Sequence, residues 1–320
     1  MPGDPAGDAA ITFADAGKQF DGAWVVEHLD LEVPRGKIFG LIGPSGCGKT
    51  TTVRLANGVY RPDAGEVFML GRASSEMRAR ERAAIGYLPQ QPALFEQLSL
   101  RENLNFHASL NGVRLRRKQR LAEVLDLVEL GEHDDKLVRE SSGGMRRRLA
   151  LAATLVHRPA VLLLDEPTAG IDPILRRRFW EHFRTLADAG HTFVITTQHV
   201  DEAAGCDVVG LLADGRLAAV GSPEELRRRA VGGELIEVET DRAVDGATGA
   251  ELAAAVGADR FEYLGPQCMR FVVSDAGSSL PVMLQQLERR GITTRNATQA
   301  VPAYDEVFIN LVHEARDSAA

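Results

Sequence analysis

Only three cysteines occur in 320 residues. Cys47, Cys206 and Cys268 show neither paired spacing nor a His/Cys ligand pattern, which excludes a disulfide framework and a structural zinc site and leaves reduced thiols as the expectation. Long apolar runs are also missing. The densest, residues 161–164 and 193–195, have the length of buried strands and fall far short of the roughly 18 apolar residues that a membrane-crossing helix needs. The chain is therefore not expected to span a bilayer. Residues 1–8 carry acid, proline and glycine where a secretion signal would carry a basic and then an apolar segment, so residues 1–10 are expected to be a disordered tail on the cytoplasmic side. Internal repeats and sustained heptads are absent as well.

A surplus of positive charge is lacking too. The formal net charge is -8, with 30 Lys/Arg against 31 Asp/Glu in residues 1–231 and 7 against 14 in residues 232–320. A polyanion would be repelled most strongly by the C-terminal part, and no nucleic-acid partner is expected. The basic clusters at 114–120, 146–148, 176–178 and 227–229 lie in the nearly neutral part and read as solvated helix faces.

What is present is an ordinary globular composition, 44% hydrophobic and 26% charged, in a chain long enough for two domains. Residues 11–13, 25–33 and 37–42 read as strands, and the last runs through a glycine-rich turn into a helix at 49–56. Helical periodicity dominates residues 100–157, and strands return at 160–164, 192–196 and 208–212 around a helix at 174–189. This alternation predicts an α/β fold, a mainly parallel sheet covered by helices, over residues 11–231. After a helix at 224–230 and the Gly232-Gly233 boundary, residues 232–320 read as strand, helix, hairpin, helix, strand and final helix. That order describes a small α+β domain without a catalytic cluster.

The turn at Gly43-Pro44-Ser45-Gly46-Cys47-Gly48-Lys49-Thr50, followed by Thr51, fits G-x-x-x-x-G-K-[ST] with a strand before it and a helix after it. Glycines let the backbone wrap phosphates closely and aim successive N-H groups and the helix's positive end at them. Lys49 is expected to reach the terminal phosphates and the Thr50 hydroxyl to ligate Mg2+. Cys47, inside the cradle, is expected to be shielded from alkylation by nucleotide. Downstream, four strand residues end in Asp165-Glu166 at the sheet edge where α/β proteins place ligands. Asp165 is expected to hold Mg2+ and Glu166 to polarise the attacking water of a nucleotide hydrolase.

Ser141-Ser142-Gly143-Gly144-Met145 stands one helix before this acidic strand and resembles the signature motif of ABC ATPases, commonly L-S-G-G-Q. With the phosphate cradle and Asp165-Glu166 in the family's order, the resemblance covers residues 11–231. It implies a P-loop NTPase core with antiparallel β and helical subdomains, binding ATP and Mg2+ and pairing head to tail with a second copy. Ser142, Gly143 and Gly144 of one subunit would then close over ATP held by the other. Ser141 and Met145 depart from the common Leu and Gln and leave the Ser-Gly-Gly core intact. Phe20 matches the aromatic that stacks on adenine, against the alternative of a core phenylalanine. Gln90 matches the glutamine that senses Mg2+ and water, with Gln91 the alternative, and Asp172 matches the aspartate at the dimer interface. The family's switch histidine falls in register on Gln198, whose amide can donate to phosphate without acting as a base. A slip of one residue at the strand exit would give the role to His199.

Residues 95–104, the Gly-Gly-Met-Arg-Arg-Arg-Leu run ending at Leu149, Thr196-Thr197-Gln198 and residues 304–308 together resemble the ATPase subunits of bacterial drug exporters of the daunorubicin-resistance kind. The resemblance implies export of a drug, antibiotic or lipid-like substrate through a separate polytopic permease docked near residues 90–105. It also implies a location on the inner face of the cell membrane. An importer ATPase, an ABC ATPase acting on ribosomes or DNA, and a nucleotide-binding module without turnover are the competing readings.

Overall fold

The computed structural model describes residues 9–91 and 93–319. Most of the expected tail lies outside these residues, but Ala9 and Ala10 already belong to the first strand, β1 (Ala9–Phe20), which hairpins into β2 (Ala23–Pro34). A central strand, β3 (Ile38–Ile42), buried at every position, leads into α1 (Lys49–Ala56). Three strands that the sequence pattern did not reveal follow: β4 (Ala64–Met69), β5 (Arg72–Ala73) and, after the short α2 (Ala79–Arg82), β6 (Ile85–Leu88). The helical stretch resolves into α3 (Leu100–Leu110), α4 (Arg117–Leu127) and α5 (Gly143–Leu155). Beyond it come β7 (Val161–Asp165), α6 (Pro173–Asp188), β8 (Thr192–Thr197), β9 (Val208–Ala213) and β10 (Arg216–Gly221).

Two sheets organise this part. Strands β2-β1-β4-β5 form an antiparallel sheet, and β10-β9-β3-β8-β7-β6 form a six-stranded one in which β9-β3-β8-β7-β6 run parallel. Apolar residues of both sheets and of α1 share one core that includes Phe13, Leu29, Phe39, Leu55, Met69 and Leu163. In the parallel sheet β3 lies between β8, with β7 and β6 beyond it, and β9, with β10 beyond it, so the connection from β8 to β9 crosses over β3. The carboxyl end of a strand at such a switch point opens a crevice between the flanking connections, and α/β folds bind ligands in it. The cradle sequence sits at that end.

The second compact unit begins at Gly221, one helix earlier than the expected boundary at Gly232. Helix α7 (Pro223–Val231) packs against α10 (Tyr304–Ala319), with Arg227 stacked 3.9 Å over the Tyr304 ring and Arg229 paired with Glu314 at 3.1 Å. The cluster at 227–229 is thus partly packed, not simply a solvated face. Between these helices run β11 (Glu234–Thr240), α8 (Gly246–Ala255), β12 (Arg260–Gly265), β13 (Cys268–Val273), α9 (Ala276–Arg289) and β14 (Thr294–Ala300). The sheet order β12-β13-β11-β14 makes a split β-α-β-β-α-β unit. One sheet face buries Ile236, Val238, Met269 and Phe271 with Leu252 and Leu287 of the helices. Strand alternation puts Arg270 on the other face, where it meets Glu237 at 2.7 Å, Glu262 at 3.1 Å and Glu306 at 3.6 Å.

Candidate functional site

The loop after β3 turns on close backbone approach. A Cβ on Gly43 would stand 2.2 Å from the Leu212 carbonyl oxygen and 2.6 Å from the Cys47 sulfur, a space only glycine fits. At the other end Gly48 takes φ 108° and heads α1 without any side-chain cap or acidic residue in the first turn. The first-turn N-H groups and the helix's positive end are left for an anion. Pro44, Ser45 and Gly46 form an exposed rim above the buried Gly43, Gly48 and Lys49. Lys49 donates from Nζ to the carbonyls of Gly43 at 2.6 Å and Pro44 at 2.9 Å, which holds the loop curled around its own cation. Thr50 and Thr51 follow in the first turn, both partly exposed.

The Cys47 sulfur points back from this loop and lies 3.9 Å from the Lys49 ammonium. Its side chain is buried in the core, and burial pushes the thiol pKa up. Thiolate is the form that alkylates, so slow labelling is expected with or without nucleotide. A buried sulfur leaves nucleotide little to shield, which differs from the protection expected from the sequence.

Strand β7 carries Asp165 to the same sheet edge. The Asp165 carboxylate is 1% exposed; Oδ2 accepts from the Thr50 hydroxyl at 2.8 Å, and Oδ1 accepts from the Thr196 hydroxyl on β8. A hydroxyl and a carboxylate oxygen facing each other next to a phosphate cradle are the hard oxygen donors that Mg2+ takes, with substrate phosphates and water completing its shell. The donor set therefore fits that ion.

Glu166 follows with φ 51°, the left-handed region that non-glycine residues rarely occupy and that clusters at functional sites. Its N-H donates to the Thr196 carbonyl and hydroxyl, both at 3.1 Å. The side chain is partly exposed beside the cradle strand's neighbours. The Thr168 hydroxyl after it donates to the buried Glu202 carboxylate at 2.6 Å, tying the turn after β7 to the turn after β8. Asp172 ends this turn as the N-cap of α6, accepting from Ile174 at 3.1 Å and Leu175 at 3.0 Å. Those backbone bonds hold its exposed carboxyl below the ordinary range.

Ser142 caps α5, accepting from the Met145 N-H at 3.2 Å, and stands exposed with Gly143 at the helix start. Gly144 is half-buried, and no neighbour would meet a Cβ at Gly143. The two departures from the common signature point inward: Ser141 and Met145 are both buried. Phe20, 39% exposed at the end of β1, is not a core ring; Tyr60 meets it edge-on at 5.3 Å and the Lys18 ammonium lies 5.5 Å from its centroid. Gln90 and Gln91 follow β6 with exposed side chains, as Gln198 and His199 follow β8. The Asp165↔Thr196 pairing sets the β8 exit beside the β7 exit. His199 begins a 3-10 turn and donates its N-H to the Thr197 hydroxyl at 2.9 Å.

One residue of this site escaped the sequence reading. The arginines at 146–148 are not a solvated face: Arg146 reaches the carbonyls of Val138 and Arg139, and Arg148 that of Val128. Arg147 is 7% exposed and donates to the carbonyls of Pro89, Gln90, Asp165 and Glu166. Burial lowers its pKa while the Asp165 and Glu166 carboxylates pull it back up, and a guanidinium remains charged under such conditions. The available signal was its place three and four residues before the apolar Ala150 and Leu151, on the buried side of α5.

Comparison with known proteins agrees with this geometry. A family model described as ABC transporter matches residues 26–169. Over 97% of this chain and 98% of the relative, the sequence is 37% identical to the daunorubicin resistance ATP-binding protein DrrA3 of Streptomyces coeruleorubidus. It is 36% identical to the Nod factor export ATP-binding protein I of Rhizobium etli over 94% of this chain and 93% of that one. A solved structure of an ATP binding subunit of an ABC transporter superposes with a TM-score of 0.65 at 25% identity, covering 69% of this chain and 92% of its own. A phosphate cradle at the switch point, the paired carboxylates on β7 and nearly full-length likeness to such subunits establish that the chain belongs to the ABC transporter ATP-binding family and is an ATPase.

Proposed function

We propose that this ATPase powers export of a drug, antibiotic or lipid-like substrate through a separate polytopic permease, working as a head-to-tail pair on the inner face of the cell membrane. The observation that carries the reading is the full-length likeness to relatives named for daunorubicin resistance and Nod factor export. Among the described residues no helix is long and apolar enough to cross a membrane, which supports a partner that does. A cleft of about 420 Å³ lined by Tyr87, Leu88, Leu94, His107, Ala150 and His157, beside the exposed Phe95 and Phe106 rings in edge contact at 4.6 Å, offers an apolar seat for a permease segment.

In the catalytic cycle the Gly43–Thr50 backbone wraps the phosphates and Lys49 turns from the Gly43 and Pro44 carbonyls to meet them. Phe20 stacks on adenine. Thr50, Asp165 and Gln90 would hold Mg2+, which when bound would neutralise charge on the transferring phosphoryl group. Glu166 orients and polarises the attacking water. Ser142, Gly143 and Gly144 of the second copy approach the terminal phosphate with free N-H groups, and Asp172 lies at that junction. Gln198 donates to the same phosphate but takes no proton, leaving the water to Glu166. Gln198→Ala is expected to lower kcat about tenfold, the scale of one lost charge-assisted hydrogen bond, and His199→Ala much less. The reverse order in steady-state assays would give the switch role to His199.

The transport role is tested by expressing tagged Glu166→Gln in its own host, solubilising membranes in mild detergent with Mg-ATP and identifying co-purifying proteins by mass spectrometry. A stoichiometric polytopic membrane protein is expected. Recovery of ribosomes or soluble proteins alone would overturn the transport role and leave the ATPase chemistry standing.

A further inference from the structure

Arg147 reaches two segments of the site with one planar group. Nη1 donates to Pro89 at 2.7 Å and Gln90 at 2.8 Å, both carbonyls of the segment after β6. Nη2 donates to the carbonyls of Asp165 and of Glu166, the latter at 2.7 Å. Each terminal nitrogen carries two hydrogens, so four donors meet four acceptors, and the buried Nε has no partner among the described residues.

We propose that Arg147 is a positioning residue for hydrolysis, fixing the backbone of Glu166 and the Gln90 segment on one frame with the helix that Ser142, Gly143 and Gly144 begin. Glu166 sits in a left-handed conformation that its own side chain disfavours. Three groups hold it there: Thr196, which accepts from its N-H, and Arg147 and the Ala169 N-H, which donate to its carbonyl at 2.7 Å and 3.2 Å. Without the guanidinium, the shorter and charged of the two donors, the Glu166 carbonyl keeps only the longer bond from Ala169, and the peptide and carboxylate gain room to shift. Gln90 is affected through the same guanidinium. Movement at the start of α5 is thereby passed within one side chain to the residue that acts on water.

This inference rests on Glu166 as that residue, so the test includes it. Full-length wild type, R147K, R147Q and E166Q are assayed for Mg-ATP hydrolysis, with rates divided by the number of functional sites counted by ADP binding. R147Q is expected to lower kcat per site by about a hundredfold, the scale of an ångström-sized misplacement, with KM and ADP affinity changed by no more than about twofold. R147K is expected to recover part of the loss, since an ammonium offers three donors at one point and reaches only some of the carbonyls. Added to E166Q, R147Q is expected to lower the residual rate no further. A kcat per site unchanged in R147Q, or fewer functional sites each working at the wild-type rate in both variants, would overturn the positioning role. Should R147Q not fold, R147K alone decides by the same split between kcat and KM. Normal turnover in E166Q would remove the base assignment; an arrested E166Q beside a normal R147Q would remove the Arg147 inference alone.

Discussion

Glu166→Gln is expected to bind Mg-ATP as tightly as the wild type and to turn it over at least about a hundredfold more slowly, the lower range for loss of a general base. The substitution keeps the shape of the side chain and leaves the backbone contacts in place. The N-H still meets Thr196 and the carbonyl still meets Arg147, so the left-handed turn has no new reason to relax. What is lost is the carboxylate proposed to draw a proton from water. Asp165 cannot substitute for it, because both its oxygens are committed, one to Thr50 and one to Thr196. Steady-state hydrolysis together with equilibrium nucleotide titration checks both halves. A normal rate would move the base to another residue.

Gly43→Ala is expected to abolish tight nucleotide binding. The new methyl would lie 2.2 Å from the Leu212 carbonyl oxygen, far inside contact distance. That carbonyl cannot retreat easily, since Leu211 beside it pairs with Ile42 in the parallel ladder. The other close neighbour, the Cys47 sulfur at 2.6 Å, is buried in the core, so the loop itself must shift. Two or three N-H groups would then miss the phosphates. At about 1.5–3 kcal/mol for each hydrogen bond to a charged group, affinity falls by at least about a hundredfold. Overpacking of this kind also costs about 1–3 kcal/mol of stability, which a thermal melt would register. An unchanged dissociation constant measured by nucleotide titration would show that the cradle has another shape.

Both predictions concern residues that the sequence announces, for a physical reason. A phosphate cradle is a local object: strand, turn and helix follow one another within about a dozen residues, and close backbone approach at Gly43 and the positive φ at Gly48 demand glycine. The β7 carboxylates are legible in the same way, four buried apolar residues ending in acid. Strands β4, β5 and β6 were not. They are short, between two and six residues; β4 and β6 depend on the distant β1 and β7, and β5 on β4. The unit boundary was displaced for a similar cause. Helix α7 follows the first unit in sequence but buries its apolar side against α10, at the other end of the second unit.

Side-chain direction was the least legible property. Cys47 lies in the cradle by sequence and in the core by orientation. Arg147, flanked by two other arginines, shares their composition but not their environment: only it turns toward β7 and the Gln90 segment. Nothing in an Arg-Arg-Arg run distinguishes the middle residue except helical phase, and phase acquires meaning once the packed face is known.

Sedimentation velocity of Glu166→Gln decides whether ATP joins two copies of this chain through the Ser142-Gly143-Gly144 face, as proposed. With Mg-ATP the variant is expected to sediment as a dimer, with Mg-ADP as a monomer, and the further substitution Ser142→Arg, which crowds the phosphate-facing helix start, is expected to keep it monomeric in ATP. A single species that ignores the nucleotide, or a dimer that survives Ser142→Arg, would mean that ATP does not join the copies through this face.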